Sequence, residues 1–286
     1  MFTCLVIYFT LGRLVLYRFT GALLLKILIL GLYIVSCLAQ AKNIPINDNN
    51  NENKQLTMCV SHYPPYQVVA PGKSPIGENI AVTHYFFKQQ GFTIQHTENN
   101  TFWRCLAMLE AGKVDIMSGL LDAPERREFA HLFAYSSLNE KSFYVNDKNL
   151  KISSFADLKG LKVAVIRDIK QFKQFDNAPD GFFEKVYVSD LDAAIRVLAA
   201  GKVDVFISTN FLYLNKIKNQ AKENQNIEEI KVKLDNHALL FTALSKKSKF
   251  AHLAPEFAKL SKTMYENGEF TQIIHEFKLN YPEYYR

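Results

Sequence analysis

The sequence predicts an α/β protein built as two similar lobes, and three observations carry that prediction. Strand-like and helix-like stretches alternate from residue 56 onward, and a heptapeptide recurs in matching context. The 286 residues, 48% hydrophobic and 22% charged, suffice for two ordinary domains or one large one. The heptapeptide is Leu109-Glu110-Ala111-Gly112-Lys113-Val114-Asp115, which returns 89 positions later (109 to 198) as Leu198-Ala199-Ala200-Gly201-Lys202-Val203-Asp204. Each copy closes a helix-like stretch (102–110 and 191–198) and opens a strand-like one (114–117 and 203–207). Glycine after the last apolar helical position supplies a left-handed C-cap, and the β-branched valine starts a strand. One such junction is common; two in the same setting indicate two lobes built alike.

The first 41 residues stand apart from this plan. Phe19 to Ala41 is almost continuously apolar, interrupted by Lys26, and ends in Ala39-Gln40-Ala41, whose small side chains at alternate positions suit signal peptidase. Residues 1–41 therefore read as a signal peptide and the body as periplasmic. Two other outcomes stay open: Ile34-Val35-Ser36-Cys37 resembles a lipobox that lipidates Cys37, and the earlier apolar stretch from Phe2 to Tyr17 makes the leader unusually long, which leaves room for an uncleaved anchor. Residues 42–55 form an Asn-rich tether, with six asparagines and no aromatic side chain between 43 and 53. No later segment reaches the roughly 18 uninterrupted apolar residues of a membrane span. The three charges of the leader (Arg13, Arg18, Lys26) are all basic, so the formal +6 of the chain falls to +3 in the body, 31 basic against 28 acidic residues. A nucleic-acid partner loses most of its support.

The folded body begins near Leu56. Leu56 to Ser61 reads as a strand, Asn79 to Gln90 as a helix closed by Gly91, and Phe92 to His96 as the next strand. Ser154 to Leu158 leads through Lys159-Gly160 into a buried strand, Lys162 to Ile166, and Val186 to Val188 gives another before Ser189 caps the following helix. Ala238 to Leu244 is strand-like, and Pro255 to Tyr265 with Phe270 to Phe277 make two terminal helices around Gly268. This alternation implies parallel sheets, whose ligand sites lie at the carboxyl ends of strands. Two cysteines remain in the body, Cys59 and Cys105. An oxidising compartment permits a disulfide closing a loop of 46 positions (59 to 105), the alternative being two separately buried thiols. Without a clustered histidine set they make no zinc site, and no metal or cofactor is implied.

Tyr63-Pro64-Pro65-Tyr66 after the first strand, Gly77 before a helix, Gly112-Lys113-Val114-Asp115, Pro124-Glu125-Arg126, Asp157-Leu158-Lys159-Gly160 and Gly201-Lys202-Val203-Asp204 follow a specific order and spacing. In that order the body, from about Leu56 to Tyr281, resembles the family 3 extracytoplasmic solute-binding proteins, the amino-acid-type binding proteins of bacterial ABC importers. Phe102-Trp103-Arg104-Cys105 resembles a divergent branch of it. The resemblance implies a two-lobed periplasmic-binding-protein-like (type II) fold with two crossing hinge strands, near Phe143 to Asn146 and Leu234 to His237. Lobe 1 would take residues 56–143 and 237–286, and lobe 2 residues 144–236. It also implies a monomeric protein with a small-molecule ligand in the cleft and an ABC permease or a membrane sensor as partner.

A carboxylate buried in such a cleft needs a matched charge, and the planar fork of arginine suits it. The resemblance assigns this to the arginine after Pro124-Glu125, Arg126, although the spacing from Asp115 fits the adjacent Arg127 without a gap. Tyr63, Tyr66, Phe102 and Trp103 are candidates for rigid apolar walls; lobe packing for Trp103 and a plain turn for the proline pair are the plainer readings. Ser118 and Gly119 offer a hydroxyl and backbone N–H groups. Two departures from the family pattern bear on specificity. Thr209 stands where the family places the aspartate that meets an α-ammonium, and Arg167-Asp168-Ile169 replaces the usual Gly-Thr. Asp168 either substitutes for the missing acid or caps the next helix, and Arg167 points to a second anionic group on the ligand. Binding of a standard L-α-amino acid is thus in doubt. An enzyme on the same fold, such as a dehydratase, is the competing class, but no Ser-His-Asp order or paired carboxylates stand out. Of the scattered histidines only His62 adjoins the Tyr63 turn. The sequence therefore favours binding without catalysis.

Overall fold

The computed structural model describes residues 5–10, 13–18, 54–208 and 227–285. It comprises two units that divide between Asn53 and Lys54. In the first, β1 (Leu5–Thr10) and β2 (Arg13–Arg18) pair antiparallel, with Leu5 opposite Arg18 and Thr10 opposite Arg13. The expected cleavage site at Ala39-Gln40-Ala41, Cys37 and residues 42–53 of the tether lie outside the described residues.

The second unit is ordered by two long strands. β6 (Ala130–Val145) and β10 (Glu228–Ser245) run antiparallel through an order β4-β3-β5-β10-β6-β9-β7-β8. On one side stand β3 (Gln55–Val60), β4 (Thr93–Asn99) and β5 (Ile116–Leu121); on the other stand β7 (Lys162–Ile166), β8 (Glu184–Val188) and β9 (Val205–Ser208). Residues 130–138 and 238–245 complete a five-stranded sheet with the first three, and residues 140–145 and 228–233 complete another with the last three. The register breaks between Lys233 and Ala238, opposite Glu140 and Leu138. One passage between the two sheets falls at this break. The other comes earlier than the expected Phe143 to Asn146, because Phe143 and Val145 are already buried with Val163, Val165 and Val205 in the core of lobe 2. Their apolar character reflects that burial and not a hinge.

Lobe 1 is held by phenylalanine packing. Phe86 and Phe87 project from α1 (Glu78–Lys88), and Phe257 and Phe270 from α6 (Ala254–Glu266) and α7 (Glu269–Asn280). Their rings meet largely edge to face, Phe87 to Phe257 at 5.3 Å and Phe86 to Phe270 at 6.0 Å, an arrangement that adds to the transfer gain of burial. On the opposite face of the sheet α2 (Phe102–Ala111) covers β3 and β5. There Cys59 and Cys105 are joined by a disulfide, with Cα atoms 5.4 Å apart.

The repeat has a structural reason. Gly112 and Gly201 both take a positive φ (72° and 63°), turning the chain out of α2 and of α5 (Leu191–Ala199). The Asp115 carboxylate then accepts from the Thr57 N–H at 2.8 Å, and that of Asp204 from the Lys162 N–H at 2.7 Å. In each lobe the aspartate thus ties its own strand to the neighbouring parallel strand, through both its side chain and its own N–H. The cap of α5 differs from expectation. Asp190, not Ser189, accepts from the Ala193 N–H at 2.8 Å, and the Ser189 hydroxyl donates to Asp190. A charged acceptor suits the positive helix end better than a hydroxyl.

Candidate ligand-binding cleft

A cavity lies at the carboxyl ends of β3, β5 and β7, walled by both lobes. Tyr63 and Tyr66 enter it from a tight turn in which the Tyr66 N–H bonds to the Tyr63 carbonyl, and their rings stack at 6.1 Å. The Tyr63 hydroxyl bonds to Ser208 Oγ of β9 at 2.6 Å, so this aromatic wall also joins the lobes. Phe102 lines the cavity as well. Trp103 does not: it is 37% exposed, with the Arg167 guanidinium 6.0 Å from its ring centroid. That pair sits at the cleft rim and links α2 to the loop after β7.

Ser118 and Gly119 line the floor, but they have structural work of their own. Ser118 is buried, its hydroxyl against that of Thr242 at 3.0 Å, and its carbonyl accepts from Gln67 Nε2 at 3.0 Å. Gly119 has φ 89°, and a Cβ there would stand 2.5 Å from Asn79 Nδ2, so only glycine lets the Asn79 amide approach the strand. Gln67 and Asn79 are cavity residues without a sequence signal, since amides in turns and helix starts are ordinary.

The two arginines separate cleanly. Arg127 is exposed and makes a bidentate pair with Asp122, both distances 2.7 Å. Arg126 is 1% exposed and points inward from α3 (Pro124–Phe129). Its two terminal nitrogens donate to the carbonyls of Leu121 and Asp168, each at 2.7 Å, and Phe102 stacks against it with 5.7 Å from guanidinium carbon to ring centroid. Arg126 therefore clasps lobe 1 to lobe 2 in a groove beside the cavity, next to Glu125, Lys170 and Asp168. Asp168 takes φ 62°, which turns its carbonyl toward Arg126. It does not cap a helix: α4 (Lys173–Asp176) starts after Phe172 with no side-chain cap. Lys170 adds an ion pair to Glu125 at 2.7 Å, and that bond holds the Glu125 carboxyl below its ordinary range. Thr209 lies outside the described residues.

Three further ionisable groups line the cavity. His62 accepts from the Val69 N–H through Nδ1, and burial pushes its pKa down, which favours the neutral ring. Asp190 is engaged as the helix cap. Lys141, on β6 beside the crossing, is 4% exposed and donates to Gln171 Oε1 at 3.3 Å. Burial lowers its pKa to about 8, with Asp176 opposing. A lone lysine in a strand carries no signal in sequence, and only the fold shows that it faces a cavity.

Residues 56–279 match the model of the bacterial extracellular solute-binding proteins, family 3. The chain belongs to this family. Among solved structures, this solute-binding protein is similar to a histidine kinase sensor domain with similarity to periplasmic binding proteins (19% identity, TM-score 0.64, covering 79% of this chain and 96% of that one). It is also similar to the substrate-binding protein of an amino acid ABC transporter (18%, 0.59, 78% and 98%). A third is an ancestral amino acid-binding protein described as a precursor of cyclohexadienyl dehydratase (18%, 0.61, 82% and 96%). At these identities the likeness establishes the fold: a two-lobed periplasmic-binding-protein-like architecture. No curated protein sequence matches significantly. Among the described residues, no helix is long and apolar enough to cross a membrane, and no group of three or more His, Cys, Asp or Glu is placed to hold a metal ion.

Proposed function

We propose that the chain is an exported, monomeric solute-binding protein that captures a small carboxylate-bearing, amino-acid-like ligand between its lobes and delivers it to an ABC importer. The observation that carries this is the cavity itself. It is lined by rings, amides and hydroxyls from both lobes, and its two lysines, Lys141 and Lys170, outnumber its one carboxylate, Asp190. Bonds across the cleft from Tyr63, Arg126 and Lys170 support a closure that buries such a ligand.

Capture without turnover is part of the reading. The test is titration of the exported protein with carboxylates followed by recovery of the bound compound. Saturable binding of an unchanged compound is expected; a chemically altered product would move the assignment to the dehydratase-like alternative. The likeness to a histidine kinase sensor domain favours one second reading, a ligand-loaded adaptor that docks on a membrane sensor. Co-purification of the loaded protein with a permease or with a sensor separates the two.

A further inference from the structure

The carboxylate reading leaves one charge unassigned. Of the ionisable groups on the cavity wall, Asp190 is taken up by the Ala193 N–H and the Ser189 hydroxyl, and Lys170 by Glu125. His62 is held toward its neutral form by burial. Arg126 spends both terminal nitrogens on backbone carbonyls. Lys141 differs from all of these. Its ammonium has three N–H donors, and among the described residues it makes one long hydrogen bond, to a neutral acceptor, at 3.3 Å. The groups packed around it explain why the described residues do not satisfy it. Gln171 is itself 2% exposed, and its N–H bonds to the Asp176 carboxylate at 3.1 Å, so Asp176 acts on Lys141 only through space.

An ammonium buried without an ion pair is costly, and a purely structural lysine at this place would be paired or replaced by an apolar residue. We propose that Lys141 receives a second anionic group of the ligand, so that the cleft selects doubly anionic, acidic compounds over their neutral isosteres. Such a group occupies the unspent N–H donors and neutralises the charge. The second anionic group that the sequence associated with Arg167 is thereby placed at the hinge strand, since Arg167 lies at the rim over Trp103. The same charge disfavours ligands with a cationic side chain.

This inference rests on the proposal that the cleft binds carboxylates, and the experiment separates the two. Calorimetric titrations at pH 7 compare L-glutamate with L-glutamine, L-aspartate with L-asparagine, succinate with succinamate, and L-arginine, on the wild type, Lys141→Met and Lys141→Gln, with circular dichroism confirming the fold of both variants. The acidic member of a pair should bind the wild type about 10- to 100-fold more tightly than its amide. In both variants the gap should shrink to within about threefold. An amide that binds the wild type as well as its acid, or a gap that survives both substitutions, overturns the role of Lys141 and leaves carboxylate capture standing. If none of these carboxylates binds the wild type, both readings fall.

Discussion

Removing the Lys141 charge gives a stability signature with a defined sign and pH window. Burial lowers this lysine from its ordinary 10.5 to about 8, which at about 1.4 kcal/mol per pH unit corresponds to about 3 kcal/mol. Below pH 8 folded and unfolded chains both carry the proton, and the folded state bears the full cost of the buried charge. Between pH 8 and 10.5 the folded state releases the proton while the unfolded chain still holds it, so stability rises with pH. Lys141→Met lacks this group, whereas Asp176, raised by burial and lowered by the charges of Lys170, Lys141 and Lys185, is present in both proteins. At pH 7 the variant is relieved of the buried charge but strands Gln171 Oε1, at about 1–3 kcal/mol, so the net change is between none and about 2 kcal/mol of stabilisation. Urea unfolding followed through the single Trp103, at intervals from pH 7 to 10.5, reads the difference. Wild type should gain about 3 kcal/mol on the variant across pH 8 to 10.5. A flat difference would refute the reasoning.

Three other expectations follow from the same geometry. Arg126→Ala should weaken ligand binding at least tenfold by opening the clasp to Asp168 while circular dichroism stays native, and Arg127→Ala should change affinity less than twofold, as its pair with Asp122 is exposed; the reverse order would contradict the inward assignment. Intact mass of the protein purified without reductant, alkylated before and after reduction, should show no free thiol at Cys59 and Cys105 before reduction, and replacing both by alanine should cost about 4 kcal/mol in urea unfolding, the loop-closure value for their separation of 46. Gly119→Ala should destabilise by about 2 kcal/mol or more, because its φ of 89° and the Asn79 amide 2.5 Å from the added Cβ leave no room; a neutral change in melting temperature would count against that packing.

Much of this architecture could be read from residue patterns because local chemistry enforces it. The Gly-Lys-Val-Asp repeat marks the same turn and the same strand tie in each lobe, and the strand Lys162 to Ile166 agrees residue for residue. Hinge placement was less legible: an apolar run such as Phe143 to Val145 has the same composition whether it crosses between lobes or fills a core. In the site, Tyr63, Tyr66, Phe102, Ser118 and Gly119 line the cavity, whereas Arg126 and Asp168 lie in the adjoining groove and Trp103 and Arg167 at the rim. Spacing could not divide Arg126 from Arg127, since consecutive residues at a helix start differ only in direction, and direction is set by tertiary contact. Lys141 was invisible for a related reason: its importance comes from what surrounds it, and those neighbours lie 30 and 35 positions away, at Gln171 and Asp176.

The central claim is that the cleft captures a small carboxylate, and a thermal-shift series across amino acids, keto acids, dicarboxylates and polyamines tests it most directly. A ligand present at 100 times its Kd stabilises the native state by about 2.7 kcal/mol, which for a body of this size raises Tm by about 5–10 °C. Carboxylates should produce that rise, dicarboxylates and acidic amino acids the largest, and polyamines none. A Tm unmoved by every carboxylate, or raised by polyamines alone, would contradict it.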